Sequence, residues 1–201
     1  MKRKASYNLA NSTAIDEKEI LKYPIPEVNE MRMVDNEEII KALQGSALEN
    51  NTIVNVHVKI NTGLNRYGID QKKAVSYIRR INEEYPQVRV ESIYTHFQDA
   101  EYNKELTDKQ IKCFNEVIYL LKKENLRPEV IHAAGSAGIL MYAESHYDMV
   151  RCGIIMYGLE HKEGEKGLPK GVEPLVTLKG RIIKIQFIKS GEFGGYGNKF
   201  S

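Results

Sequence analysis

Five short stretches of this chain join charged or nucleophilic side chains to glycines in arrangements that could do chemistry. KINTGLNRYGI (59–69) carries Arg66, a permanent cation, between Gly63 and Gly68. Glycines allow tight backbone paths, and a guanidinium suits a carboxylate or phenolate. YTHFQDAE (94–101) holds His96, an imidazole able to tune a charged neighbour or stack on a ring. HAAGSAGIL (132–140) puts Ser136 at the expected cap of a helix, whose free N–H groups and positive end favour a phosphate. DMVRCGIIMYGLE (148–160) sets Arg151 inside an apolar run, and a buried arginine requires a partner. The backbone N–H groups of Gly153 and Ile154 follow on the same segment. SGEFGGYGNKF (190–200) holds Tyr196 on a tight turn. Each stretch also has a plainer reading: a turn arginine paired with a helix, a structural histidine, an ordinary N-cap, a buried ion pair, a hairpin tyrosine.

The elements that must position these residues alternate along the chain. DNEEIIKALQGSALENN (35–51) opens with the cap-type residues Asp35 and Asn36 and puts Ile39, Ile40 and Leu43 on one helical face. TIVNVHVKI (52–60) has strict period two and predicts a strand. DQKKAVSYIRRINEEYP (70–86) predicts a helix buried along Ala74, Tyr77, Ile78 and Ile81 and stopped by Pro86. VRVESIYTHF (88–97) predicts a strand, and 107–126 a long helix with Ile111, Phe114, Val117, Ile118 and Leu121 inward. EVIHAA (129–134) predicts a short strand, SAGILMY (136–142) a short helix and DMVRCGIIMYGL (148–159) a buried strand.

Strands separated by helices of this length imply right-handed βαβ units and a parallel sheet, hence the α/β class. Residues 1–34 show no such pattern. The Gly-, Lys- and Glu-rich stretch 160–174 reads as a linker, and the residues beyond it have strand character without helices. The expected division is an N-terminal segment (1–34), a βα-repeat region (35–165) and the start of a β-domain (166–201). A complete eight-fold barrel takes roughly 250 residues, so residues 1–165 accommodate about five units. The expectation is a smaller open sheet or a partial (β/α)8 TIM-type barrel.

Composition excludes several classes. A net charge of +2 with interspersed signs lacks the basic stripe of a nucleic-acid binder. No apolar run reaches the ~18 residues of a membrane span, and MKRKASYNLANST lacks the apolar core of a signal peptide. Cys113 and Cys152 form neither a metal-ligand spacing nor a disulfide framework, which implies no metal and a cytoplasmic setting.

Taken in order, the five stretches resemble the alanine racemase family from about Val54 to Phe200. The family loop K-x-D-T-G-M-x-R-x-G is matched by KINTGLNRYG, and its T-H-F by Thr95, His96 and Phe97. Its H-x-x-N-S-A is matched by HAAGSA, its F-D-x-V-R-P-G-I-x-L-Y-G by YDMVRCGIIMYG and its G-Y-G by GGYGNKF. The resemblance implies a barrel followed by a β-domain, pyridoxal 5′-phosphate (PLP) as cofactor, and racemisation of L- and D-alanine for the cell wall. It implies that Ser136 with the backbone of Gly153 and Ile154 holds the phosphate, that Arg151 faces the pyridine nitrogen, and that His96 lies between Arg151 and the ring. Arg66 would contact the substrate carboxylate or the catalytic phenol, Lys59 would match a lysine carbamylated in some members, and Tyr196 would be a catalytic base. An amino-acid substrate and a homodimer follow for the intact enzyme.

Three positions depart from the pattern. Asn61 stands for aspartate and removes a charge from the Arg66 loop, Gly135 for asparagine and loses a hydrogen bond near the phosphate, and Cys152 for proline. The family's V-x-K-A-N-A-Y-G-H-G segment, which carries the cofactor lysine, has no match, so little racemase activity is expected of this polypeptide alone. A serine-racemising relative is the alternative within the class. A non-catalytic PLP-binding barrel protein, or a remnant that does not fold stably, is the alternative outside it.

Overall fold

The computed structural model describes residues 32–159 and isolated positions between 171 and 189. Four parallel strands form the sheet in the order β1, β2, β4, β5: β1 (Arg32–Val34), β2 (Val54–Asn61), β4 (Val88–Tyr94) and β5 (Val130–His132). A two-residue strand, β3 (Ile69–Asp70), pairs with the end of β2. Helices α1 (Glu37–Glu49), α2 (Ala74–Glu84) and α3 (Lys104–Lys123) make the crossovers, and α4 (Ser136–Met141) follows β5. Each long strand is thus followed by a helix, as in part of a (β/α)8 barrel, and the α/β class expected from the alternation is the one observed.

The period-two reading of β2 explains the two faces of the sheet. Val54, Val56, Val58 and Ile60 are buried against the helices, packing with Ile40, Leu43, Ile78, Ile81, Phe114 and Leu121. The opposite face carries His57 and Lys59, only 6% and 4% exposed. Parallel sheets are covered on both sides, so polar residues on the second face are enclosed rather than solvated.

One residue in β4 breaks the alternation. Val56 pairs with Val90, but His57 pairs with Ser92, so Glu91 is an extra residue in the ladder. The bulge exchanges the faces: before it the even-numbered valines point to the helices, after it Ile93 does. Tyr94 consequently sits level with Lys59 on one side and His132 on the other.

The helices begin and end for local reasons. Asn36 caps α1 by accepting from the Ile39 N–H at 2.9 Å. Asp35, expected as a cap, turns instead to the 59–69 loop, where its Oδ2 accepts from the Gly68 N–H at 3.0 Å. A 3-10 turn over Gln71–Lys73, capped by Asp70, leads into α2. Asn103 caps α3 through the Leu106 N–H, so this helix starts three residues before the expected Thr107. The inward residues are those expected, except that Ile39, Tyr77 and Ile118 are half-buried at the rim.

Two expectations need correction. The N-terminal segment ending at residue 34 contains β1, because Arg32–Val34 adds parallel to Val56–Val58. Three residues are too few to show a period. The strand expected over 148–159 is not formed. Residues 148–151 run beside β5, with Asp148 N–H donating to Ile131 O (3.0 Å), one bridge at Met149, and Arg151 N–H donating to Ala134 O (2.9 Å). Gly153 then turns the chain into a 3-10 helix (Ile154–Tyr157) that ends at the left-handed Gly158. Only Ile155 of its apolar residues is buried, so the hydrophobic run that imitated a strand is mostly surface. The residues near 190–200, Tyr196 among them, lie outside the described residues, as does most of the expected β-domain.

Candidate active site

The site forms where the strands end. In a βα barrel the carboxyl ends of the strands open into the loops that carry chemistry. Here four loops meet: 61–68 after β2, 95–103 after β4, 133–135 after β5, and 150–153.

The 61–68 loop is folded by Asn61. Its Oδ1 accepts from the N–H groups of Gly63 and Asn65, both at 3.1 Å, and its Nδ2 donates to Asn65 Oδ1 at 3.0 Å. The uncharged amide therefore serves as the hub of the turn, a role that needs both an acceptor and a donor. Gly63 (φ +142°) and Gly68 (φ +119°) adopt backbone conformations open to glycine. A Cβ on Gly68 would lie 2.9 Å from the Asn61 backbone nitrogen. Arg66 is exposed at the loop tip, its guanidinium carbon 5.9 Å from the Tyr67 ring centre.

Below it Lys59 is enclosed, its Nζ 5.5 Å from the Tyr67 centroid and 5.9 Å from that of Tyr94. Burial first, then the charges of Arg66 and Arg151, pushes its amine below the usual lysine range. Tyr94 stacks on His132 with centroids 4.8 Å apart and planes 4° from parallel. Burial outweighs the pull of Arg151 and raises the Tyr94 phenol to about 12.

Arg151 is the centre of the polar cluster. Nη2 donates to the carbonyls of Thr95 (2.7 Å) and Ala133 (2.9 Å) and lies 3.1 Å from His96 Nδ1. Nη1 donates to His132 Nδ1. No carboxylate among the described residues pairs with it, and burial lowers it to about 10, still a cation at neutral pH. The partners a buried arginine demands are thus strand-end carbonyls and imidazoles, not the structural ion pair of the plainer reading. His96 is held neutral, pushed down to about 4 by burial and by the cations Arg151, Lys59 and Arg66.

Ser136 is the first residue of α4, and the cap position belongs to Gly135. That corrects the expected cap. The Ser136 hydroxyl points across the cleft and accepts from Gly153 N–H at 3.1 Å and Ile155 N–H at 3.4 Å. The hydroxyl at the start of α4 is thus met by amides at the start of the 154–157 3-10 helix. A Cβ on Gly153 would lie 3.2 Å from that oxygen, so the glycine keeps the cradle open. Ile154, between the two bonded N–H groups, is exposed. The donor set, a hydroxyl and convergent amides beside Arg151, fits a phosphate carried on a ring with an acceptor nitrogen.

Sequence reasoning missed three contributors. Gln110 of α3, 1% exposed, donates to Thr62 Oγ1 (3.2 Å) and accepts from Gln98 N–H (2.9 Å), tying the loops after β2 and β4 together. His132 is fully buried and joins Arg151 to His57, whose Nδ1 is 3.1 Å from His132 Nε2. The available signal was the run of polar residues on strands otherwise made of valine and isoleucine.

This arrangement defines the class: a parallel βα barrel region with a hydroxyl, backbone amides and a half-buried arginine gathered at the carboxyl ends of its strands. A sequence model of the family described as "Alanine racemase, N-terminal domain" matches residues 13–161. The chain belongs to the alanine racemase family. It is 56% identical over 172 residues to alanine racemase 2 of Clostridium acetobutylicum, covering 86% of this chain and 44% of that protein. A solved alanine racemase of Clostridium difficile 630 superposes with a TM-score of 0.74, at 24% identity, over 94% of this chain and 50% of that one. The Bacillus anthracis alanine racemase solved with bound L-Ala-P superposes with a TM-score of 0.66, at 26% identity, over 84% and 44%. The chain spans about half the length of these relatives. The family is PLP-dependent, and among the described residues no helix is long and apolar enough to cross a membrane.

Proposed function

We propose that these residues form the barrel-side half of a PLP-dependent alanine racemase that interconverts L- and D-alanine in the cytoplasm. The observation that carries it is the Ser136 hydroxyl meeting the Gly153 and Ile155 N–H groups, beside a half-buried Arg151 that no described carboxylate neutralises. Ser136 with the backbone of Gly153 and Ile154 would hold the phosphate there. When bound, PLP supplies the electron sink that stabilises the carbanion left by removal of an α-proton.

The chain's own residues have separable tasks. Arg151 stays charged through its bonds to Thr95 and Ala133 and offers donors, not a proton, to the ring nitrogen. With PLP bound, that would leave the ring nitrogen unprotonated and limit how far charge spreads into the ring. His96, neutral, would lie between Arg151 and the ring. Arg66 attracts the substrate carboxylate or lowers a catalytic phenol toward neutrality, as an unperturbed tyrosine near 10 requires. Tyr196, outside the described residues, is the candidate phenol. Lys59, with its depressed amine, is disposed to take up carbon dioxide: the amine bonds to the carbon, loses a proton and becomes a carbamate that can pair with Arg66. Residues 35–165 would be the barrel portion and 166–201 the start of the β-domain. A homodimer is the expected assembly of the intact enzyme.

The 201 residues contain no match to the family's lysine segment, so binding, not turnover, is the discriminating measurement. Titration of PLP into the protein, followed by 31P NMR, should show a saturable site. Arg151→Met and Ser136→Ala should each weaken it about tenfold, the equivalent of one charge-assisted hydrogen bond of roughly 1.4 kcal/mol. Equal binding to all three proteins would overturn the assignment.

A further inference from the structure

We propose that Glu91 is a positioning residue for Arg151, acting through His57 and His132 to fix which nitrogen of each imidazole carries a proton. The reasoning starts at the arginine. A guanidinium only donates, so the His132 Nδ1 that meets Arg151 Nη1 must be bare. The neutral ring then carries its proton on Nε2, which faces His57 Nδ1 at 3.1 Å. His57 Nδ1 is therefore an acceptor in turn, its proton sits on Nε2, and that N–H meets Glu91 Oε2 at 3.1 Å. The direction of the whole relay is forced, because the arginine end has no acceptor to offer. Adding a proton to either ring would aim hydrogen at hydrogen. Both imidazoles are correspondingly depressed, by burial first and by Arg151 among the further causes.

A second observation is independent of hydrogen-bond polarity. Glu91 is the one inserted residue in the β2–β4 ladder. Bulges re-aim side chains, and this one lets the Glu91 carboxylate and Ser92 both face His57. A third is charge: Arg151 has no ion-pair partner among the described residues, and Glu91 is the carboxylate at the far end of its relay. Polarisation along linked hydrogen bonds carries that charge further than direct attraction would. With both tautomers fixed, one Nη1 hydrogen of Arg151 is committed to His132 and the guanidinium cannot rotate. The consequence for cofactor affinity rests on the PLP reading of Arg151 above, but the tautomers do not.

The test is NMR of the 201-residue protein with 15N-labelled histidine, where ring nitrogens with and without a proton resonate far apart. The wild type should show His57 and His132 as single Nε2–H tautomers. Glu91→Leu should turn both into tautomer mixtures with an unchanged circular-dichroism spectrum, and should weaken PLP binding several-fold. Glu91→Gln, which keeps an acceptor, should restore the single tautomers. A wild-type Nδ1–H on either histidine refutes the relay without any variant, should Glu91→Leu fail to fold. Unaltered tautomers in Glu91→Leu refute it as well, and shifted tautomers with unaltered PLP affinity refute the positioning role. Absence of PLP binding alongside the expected tautomers would count against the proposed function and leave the relay standing.

Discussion

Replacing Gly68 by alanine tests how tightly the 61–68 loop is built. At φ +119° an L-residue is strained by about 1–3 kcal/mol. The new Cβ would also lie 2.9 Å from the Asn61 nitrogen, 3.1 Å from the Lys59 carbonyl oxygen and 3.2 Å from the Ile60 carbonyl carbon. All three are backbone atoms of β2 and its end, so no side chain can swing aside. Forcing an added carbon into such a site costs typically another ~1–3 kcal/mol. Gly63 is the internal control. Its φ of +142° is as demanding, but its Cβ would meet only the Gln110 side chain, at 3.5 Å. Gly63→Ala should therefore carry the strain alone, about 2 kcal/mol, and Gly68→Ala about 4 kcal/mol. Urea unfolding followed by far-ultraviolet circular dichroism would read these as midpoint shifts of about 1 M and about 2 M for a slope near 2 kcal/mol/M. A Gly68→Ala midpoint equal to that of Gly63→Ala would refute the claim that backbone crowding, beyond the dihedral, makes this glycine necessary.

Other outcomes follow from the same geometry. His57, His96 and His132 all titrate below their unfolded value near 6.5, so the unfolded chain binds more protons and stability must fall as pH drops below about 6.5. His96 and His132 should each remove about 1.4 kcal/mol by pH 5.5 and His57 should act in the same direction, with the loss from His96 continuing to about pH 4, visible as a falling urea midpoint; a midpoint constant from pH 7.5 to 5.5 contradicts it. Exposure to 13C-bicarbonate should give a carbamate carbon signal that disappears in Lys59→Met, and its persistence there would assign the signal elsewhere. Cys152 is exposed, whereas Cys113 is half-buried with its thiol pushed up by burial, so a disulfide reagent should modify Cys152 first. Bound PLP should slow that modification, Cys152 being next to Gly153, and equal rates with and without PLP would place the cofactor elsewhere.

Much of this was legible in the residue order. The strict alternation of 52–60 gave β2 because its valines need a helix-covered face, and the apolar stripes of α1, α2 and α3 gave the covers. The Arg66 loop, His96, Ser136 and Arg151 could be singled out as candidates because strand ends followed by small residues are readable. The relay was not, because the inserted Glu91 exchanges the two faces of β4, and no period survives such a shift. The 148–159 segment misled for the opposite reason: its isoleucines and methionine satisfy a strand composition, yet Gly153 and Gly158 bend them into a 3-10 turn with most of the apolar area outside. A three-residue strand such as β1 has too little pattern to be seen at all.

Because the single carboxamide of Gln110 holds Thr62 on one side and the Gln98 backbone on the other, the segments bearing Arg66 and His96 are geared to each other. Neither can open or close without dragging its companion through α3. Any rearrangement on ligand arrival is thus shared by both walls of the cleft, and a change at this helix position would be felt at a cation and a neutral imidazole it never touches.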